Sequence, residues 1–140
     1  MARQFTLGKN ERLKSRKQIE LLFAEGKSFT VSPYRIYYKL QEGALKPKIR
    51  RFNLQFGVGV SGKSFKKAVD RNRIKRLTKE AWRLQKFLLQ EKLKEKDLQL
   101  NVFLIYTFRE MAEYQYLYEK VHVILNRLIK LIDENNSPAS

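Results

Sequence analysis

The chain has 140 residues, with 30 Lys and Arg against 14 Asp and Glu for a net charge of +16. That length fits one domain, and 43% hydrophobic residues suffice for a core, which excludes wholesale disorder. With no Cys and one His, His122, disulfides, iron–sulfur clusters, Cys-ligated zinc, thiol catalysis and two-imidazole sites are excluded, while a pI near 10.2 points to a polyanion such as RNA, DNA or an anionic membrane surface.

Residues 1–14 are basic and lack periodicity, which reads as an N-terminal arm. They are too polar for a signal-peptide core, and the longest apolar stretch, 102–106 extended to Phe108, is far short of the roughly 20 residues a spanning helix needs. The expectation is a cytoplasmic protein with no membrane association. A first helix starts near Ser15, a plausible N-cap, carries Ile19, Leu22 and Phe23 as its apolar stripe, and ends at Gly26. Residues 28–31 form a short strand. Pro33 breaks it before 34–40, where aromatic and β-branched residues favour a second strand. Alternation puts Tyr34, Ile36 and Tyr38 on one face of that strand and Arg35, Tyr37 and Lys39 on the other.

Residues 42–51 contain Gly43, Pro47 and several charges and read as an exposed loop. A third strand covers 52–60. After a turn at 61–63, one long helix is predicted to begin among 64–67 and run to about Gln90, with Ile74, Leu77, Ala81, Leu84 and Leu88 as its apolar stripe. Residues 98–107 are dense in Val, Leu, Ile and aromatics, as in a central strand covered on both faces. A last helix spans about 111–133, with Tyr114, Leu117, Val121, Ile124, Leu128 and Leu131 inward. The order α-β-β-β-α-β-α predicts an α+β sandwich of helices on a small mixed four-stranded sheet, with the domain at 15–133 and a polar tail at 134–140.

The charge is concentrated. Residues 62–86 hold 10 basic and 2 acidic side chains, net +8, whereas 87–140 hold 7 and 8, net −1. On a helix, Asn72, Lys75, Arg76, Lys79, Arg83 and Lys86 fall on one face, opposite the apolar stripe, with Arg71 and Trp82 flanking and Arg73 nearer the core boundary. A charged helix face is usually a solvated one, but like charges at i,i+4, such as Arg71–Lys75 and Lys79–Arg83, cost helix stability without a counterion. Lysines supply point charges and arginines planar forks for phosphate, Asn72 suits phosphate, a 2′-hydroxyl or a base edge, and the helix start attracts anions.

This stretch, Ala68-Val-Asp-Arg-Asn-Arg-Ile-Lys-Arg-Leu-Thr-Lys-Glu-Ala, resembles the Arg-Asn-Arg helix of the protein subunit of bacterial ribonuclease P. Phe56-Gly-Val-Gly-Val-Ser-Gly-Lys63 resembles the glycine-containing strand before it, and Arg12-Leu-Lys with Phe23-Ala-Glu-Gly-Lys-Ser28 resembles the family's first helix and turn. The resemblance covers roughly residues 12–131 and is specific in 56–83. It implies a ribonuclease P protein-like fold, with a left-handed crossover around the long helix against the general tendency. It also implies an RNA-binding subunit that joins a catalytic RNA to cut the 5′ leader from precursor tRNA. The RNA would supply the reaction centre and hold most of the Mg²⁺, the protein contributing no catalytic or metal-binding residue and needing no organic cofactor or obligate protein partner. By the same resemblance Lys63, Lys66, Lys67, Arg71, Asn72, Arg73, Lys75 and Arg76 face RNA, with Lys79 and Arg83 continuing the ridge. Ile19, Phe23 and Tyr37 line a leader cleft between the first helix and the sheet, with Arg35 and Lys39 sharing the Tyr37 face. Two positions depart from the family: Ile19 stands where a large aromatic is usual, and Gly62 where a second lysine is frequent.

On residues alone, Ile19 and Phe23 read more simply as core, whereas a tyrosine between Arg35 and Lys39 suits base stacking beside phosphate. His122 reads as a partly buried helix residue. Glu110, Glu113 and Glu119 read as the solvated start of the last helix. Residues 57–63 evoke a phosphate loop, but the glycine spacing fails. The alternative function is a ribosomal or assembly-type RNA-binding protein without turnover. A DNA-binding domain is weaker for want of a helix-turn-helix pair.

Overall fold

The computed structural model describes residues 12–13, 15–42 and 54–135. The elements run α1 (Arg16–Glu25), β1 (Lys27–Val31), β2 (Tyr34–Glu42), β3 (Leu54–Val60), α2 (Ala68–Gln85), α3 (Phe87–Lys96), β4 (Leu98–Tyr106) and α4 (Tyr114–Asn135). The fold is the predicted α+β class, with an extra helix. The loop at 43–51, the start of the third strand at 52–53, most of the arm and the tail beyond Asn135 lie outside the described residues.

The sheet order is β1-β2-β4-β3, with β1–β2 and β2–β4 antiparallel and β3–β4 parallel. The parallel pair requires the chain to return along the sheet between β3 and β4, and α2 and α3 make that return. One sheet face carries Leu54, Phe56, Val58, Tyr34, Ile36, Leu100, Val102, Leu104 and Tyr106, all buried in the core with residues of α2, α3 and α4. Leu117, Val121, Ile124, Leu128 and Ile132 bring α4 onto this core at helical spacing. β4 is central as predicted. Its opposite face (Gln99, Asn101, Phe103, Ile105) is only half buried, so the second cover is partial.

Bulk, rather than the leucine count, decides how α2 is turned. Trp82 is fully buried and stacks on Phe56 with ring centroids 4.1 Å apart and planes at 13°. Thr78, buried beside it, shares a 2.6 Å hydrogen bond with the Tyr34 hydroxyl. The true inward stripe is therefore Ile74, Thr78, Ala81 and Trp82. Leu84 and Leu88 of the expected stripe are 39% and 69% exposed. Trp82 does not flank the basic ridge, and Lys86, placed on it by periodicity, is buried where α2 gives way to α3. The rotated register lets α3 bury Leu89 and Leu93 before Asp97, at φ 52°, ends it.

The termini of the domain also shift. Arg12 bridges Phe56 in parallel, and the Leu13 N–H donates to the Phe56 carbonyl at 2.8 Å, so the end of the arm covers the open edge of β3 and Leu13 is buried. α4 begins at Tyr114, which leaves Glu110 and Glu113 ahead of it, and continues to Asn135, into the expected tail. Ser15 caps α1 by accepting from the Gln18 N–H. Gly26 follows it in an extended conformation, and only glycine fits there: a Cβ would lie 2.6 Å from the Leu22 carbonyl oxygen and 2.8 Å from that of Tyr38.

Trp82→Ala removes the stack that seats α2, and we expect a loss of about 3–5 kcal/mol in urea unfolding; a loss below 1 kcal/mol would show that α2 is seated by other contacts. Burial raises the Tyr106 hydroxyl to about 12 from 10.0. The folded state then resists an ionisation that the unfolded chain undergoes near 10, so stability is full below pH 10 and falls as pH rises from 10 through 12. Alkaline unfolding followed by tyrosinate absorbance checks this, with Tyr106→Phe flattening the fall.

Candidate nucleic-acid interface

Two surfaces carry the predicted site residues. The first is the turn between β3 and α2 together with the outward face of α2. Ser61 organises the turn: its carbonyl accepts from the Ser64 and Phe65 N–H groups at 3.1 and 3.3 Å, and its Oγ accepts from the Lys63 N–H at 3.1 Å. Phe65 drops into the core near Tyr106, and Lys63, Lys66 and Lys67 stay exposed around it. From α2, Asn72, Arg73, Arg76 and Lys79 are exposed and Lys75 is half-buried.

Two arginines of the expected set are engaged within the protein. Arg71 Nη1 donates to the Phe65 carbonyl at 2.6 Å and the Lys66 carbonyl at 2.9 Å, which pins the lysine-bearing turn to the first turn of α2. Arg71, expected to flank the ridge, is thus the arginine turned to the backbone, and Arg73, expected nearer the core boundary, is exposed. Arg83 makes a two-pronged pair with Glu80, Nη2 to Oε2 at 2.6 Å and Nε to Oε1 at 3.1 Å. That bond raises its guanidinium above the usual range. The exposed cations of α2 therefore concentrate in its N-terminal half, continuous with the turn.

The second surface is the sheet face away from the core, crossed by α1. Only Leu22 of α1 is buried. Ile19 is half-buried and Phe23 is 41% exposed, so the simpler core reading does not hold for Phe23. Its ring lies 4.7 Å from Tyr37 and 5.6 Å from Phe103, the latter edge-on at 74°. The three aromatics come from α1, β2 and β4, and the sheet register sets Tyr37 directly beside Phe103 and Phe103 beside Gly57 of β3. A Cβ on Gly57 would meet the Phe103 ring at 2.6 Å and the Leu13 carbonyl at 2.8 Å, and one on Gly59 would meet the same ring at 3.2 Å. The glycines let the Phe103 ring pack directly on the β3 backbone, so that Phe23, Tyr37 and Phe103 form an aromatic strip, the trough, on this sheet face. Arg35 is exposed at one end, beside Ile105; Lys39 is half-buried at the other, where its Nζ donates to Glu25 at 2.8 Å.

Sequence reasoning missed Phe103, the glycine floor and Glu25. Phe103 and Ile105 share the polar-leaning face of β4 with Gln99 and Asn101, and that break in alternation was the available signal. His122 is exposed rather than partly buried: Nδ1 lies 3.2 Å from Gln85 Oε1 and Nε2 3.1 Å from Asn126 Nδ2, a polar link between α2 and α4.

A family model described as Ribonuclease P matches residues 7–129. A curated relative from Porphyromonas gingivalis, named ribonuclease P protein component, is 37% identical over 111 residues, which is 79% of this chain and 77% of the relative. One of the same name from Dictyoglomus turgidum is 37% identical over 83 residues, 59% of this chain and 62% of the relative. Among solved structures, the RNase P protein from Thermotoga maritima superposes with a TM-score of 0.62 at 24% identity, covering 84% of this chain and 96% of that one. The Staphylococcus aureus RNase P protein gives a TM-score of 0.56 at 18% identity, covering 84% and 94%. At these identities the structures show a shared fold.

The geometry separates two arginines that composition cannot. Arg71→Ala should cost about 1.5–3 kcal/mol of stability, because its hydrogen bonds are charge-assisted and intramolecular. Arg76→Ala should leave the urea midpoint unchanged and flatten the salt dependence of binding to a structured RNA by about 0.9 in log–log slope. The reverse pattern would place the phosphate contact at Arg71.

Proposed function

The chain belongs to the ribonuclease P protein family, and from that membership together with the arrangement of its two surfaces we propose that it binds the catalytic RNA of ribonuclease P and the 5′ leader of precursor tRNA, and so assists endonucleolytic removal of that leader. Family membership makes it an RNA-binding subunit in tRNA 5′ processing. The division of labour is the proposed part. The observation that carries it is the meeting of a cationic turn and helix with an aromatic trough: β3 floors the trough and, four residues after Gly59, delivers Lys63 to the basic surface.

Each surface suits a different form of RNA. The convex face of α2 presents Asn72, Arg73, Lys75, Arg76 and Lys79 over successive turns, which fits the phosphate backbone of a folded RNA. Arg83, paired with Glu80, contributes there once the phosphate outcompetes the carboxylate. The trough is lined by Phe23, Tyr37 and Phe103, with Ile19 one helical turn along and Arg35 and Lys39 at its ends. It fits an unpaired strand whose bases stack and whose phosphates meet cations. A leader is single-stranded where it leaves the tRNA, so the trough is its place and α2 is the place of the RNA subunit. In this reading Mg²⁺ and the reaction centre belong mainly to the RNA. The protein's residues bind and position, and no proton or bond is assigned to them. The reading places the assembly in the cytoplasm and requires no further protein. Among the described residues no helix is long and apolar enough to cross a membrane.

Reconstitution tests the whole reading. Added to a bacterial ribonuclease P RNA at low Mg²⁺, the chain should stimulate leader removal, and alone it should cut nothing. Absence of stimulation would leave an RNA-binding protein without turnover. Within the assembled particle, Tyr37→Ala should weaken binding of leader-bearing precursor by about 1–3 kcal/mol, the worth of one stacked base, and leave mature tRNA unchanged. Equal losses for both would return Tyr37 to a structural role.

A further inference from the structure

We propose that Glu25 is a built-in competitor for the trough lysine, Lys39, and that entry of an RNA leader moves Lys39 from Glu25 to Asn101 and a leader phosphate. This inference deepens the proposed function and rests on it.

Three observations converge on Lys39. It shares the trough face of β2 with Tyr37 and Arg35, yet its Nζ is directed to Glu25 Oε1 at 2.8 Å. Glu25 is the last residue of α1, and no basic residue stands in that helix's last turn. A carboxylate gains nothing there from the helix, because the unpaired carbonyls at a C-terminus already concentrate negative charge. Asn101 is the direct cross-strand neighbour of Lys39. Its Oδ1 is buried with no hydrogen-bond partner among the described residues. A buried amide oxygen without a donor is unfavourable and rare.

One movement resolves all three. Directly opposed residues of an antiparallel pair have Cβ atoms about 5 Å apart, within reach of a lysine stem. An ammonium carries three N–H groups. Turned across the strand, Lys39 gives one to Asn101 Oδ1 and keeps two for a phosphate above the trough. Against Glu25 it leaves Asn101 orphaned, and the carboxylate stands where the anion would be. The pair is half open to water, with side-chain exposures of 35% for Lys39 and 53% for Glu25, so it is weak enough for an anion to displace. Glu25 thereby sets a threshold: an RNA strand must lie in the trough, stacked on the aromatics, to bring a phosphate close enough to win the lysine. Leader-bearing and leaderless RNAs differ in that respect.

The test uses the particle assembled with ribonuclease P RNA and measures binding of precursor and mature tRNA across a salt series. Glu25→Gln should raise precursor affinity two- to fivefold at low salt, steepen its log–log salt slope by about 0.7 for one released lysine on a single strand, and leave mature tRNA unchanged. Adding Lys39→Gln should erase the gain. Asn101→Leu should lower precursor affinity in the Glu25→Gln background by removing the acceptor that holds the turned lysine. Thermal melting of each variant checks that it folds, so that affinity changes report on the trough. Unchanged or reduced precursor affinity for Glu25→Gln overturns the proposal, as does a gain that survives Lys39→Gln. Wild-type particles that fail to stimulate cleavage overturn the functional reading and this inference with it. Stimulation by wild type with no effect of Glu25→Gln overturns the inference alone.

Discussion

The stack of Trp82 on Phe56 decides where the charge of the chain goes. A helix with ten cations near it has many rotations that expose them, and only one that buries an indole against β3. With Trp82 fixed, Thr78 reaches Tyr34, Lys86 is drawn under the surface, and Asn72, Arg73, Arg76 and Lys79 face outward together. The same strand supplies the other surface. Phe56 and Val58 point to the core, and Gly57 and Gly59 between them leave the opposite face bare for Phe103. Alternation along seven residues of β3 thus anchors the basic helix on one side and opens the aromatic trough on the other.

A net charge of +16 overstates what a polyanion meets. Arg71 is spent on two backbone carbonyls, Arg83 faces Glu80, and Lys39 faces Glu25. Lys92 and Lys96 converge on Asp133, whose carboxyl they hold below its usual range, and so fasten α3 to α4. The roles differ in kind. Arg71 shapes the surface it was expected to belong to, because two bonds from one guanidinium hold the lysine-bearing turn against α2. Arg83 and Lys39 are screened by carboxylates that water reaches, and such partners yield to a phosphate.

The architecture was largely legible because β-branched and aromatic residues are dense in β2 and β4 and the period-3.6 pattern is strong in α4. The α2 register was not, since Leu77, Leu84 and Leu88 keep helical spacing while Trp82, one residue off that stripe, carries more buried area than any of them. The break at Lys86 was hidden for the same reason: the leucine pattern runs through it. Of the site, the cations of the turn and of α2 were legible from charge density. The cleft was legible at Tyr37, where alternation placed a tyrosine between Arg35 and Lys39. Phe103 was not, because its place beside Tyr37 depends on register between strands some 65 residues apart in sequence, which no local pattern encodes. Glu25 and Arg71 were misjudged or missed because a side chain's partner depends on what folds next to it.

The glycine floor of the trough has a thermodynamic side. A binding surface built of long side chains must freeze their rotamers when a ligand arrives, and that ordering opposes association. Along Gly57 and Gly59 the wall is backbone, already immobilised by its ladder to β4, and the Phe103 ring is wedged on it at contact distance. This stretch has no rotamers left to lose. On this stretch the protein has met its share of the ordering entropy at the moment of folding, whereas Lys39 at the trough's end still changes partner when a strand arrives.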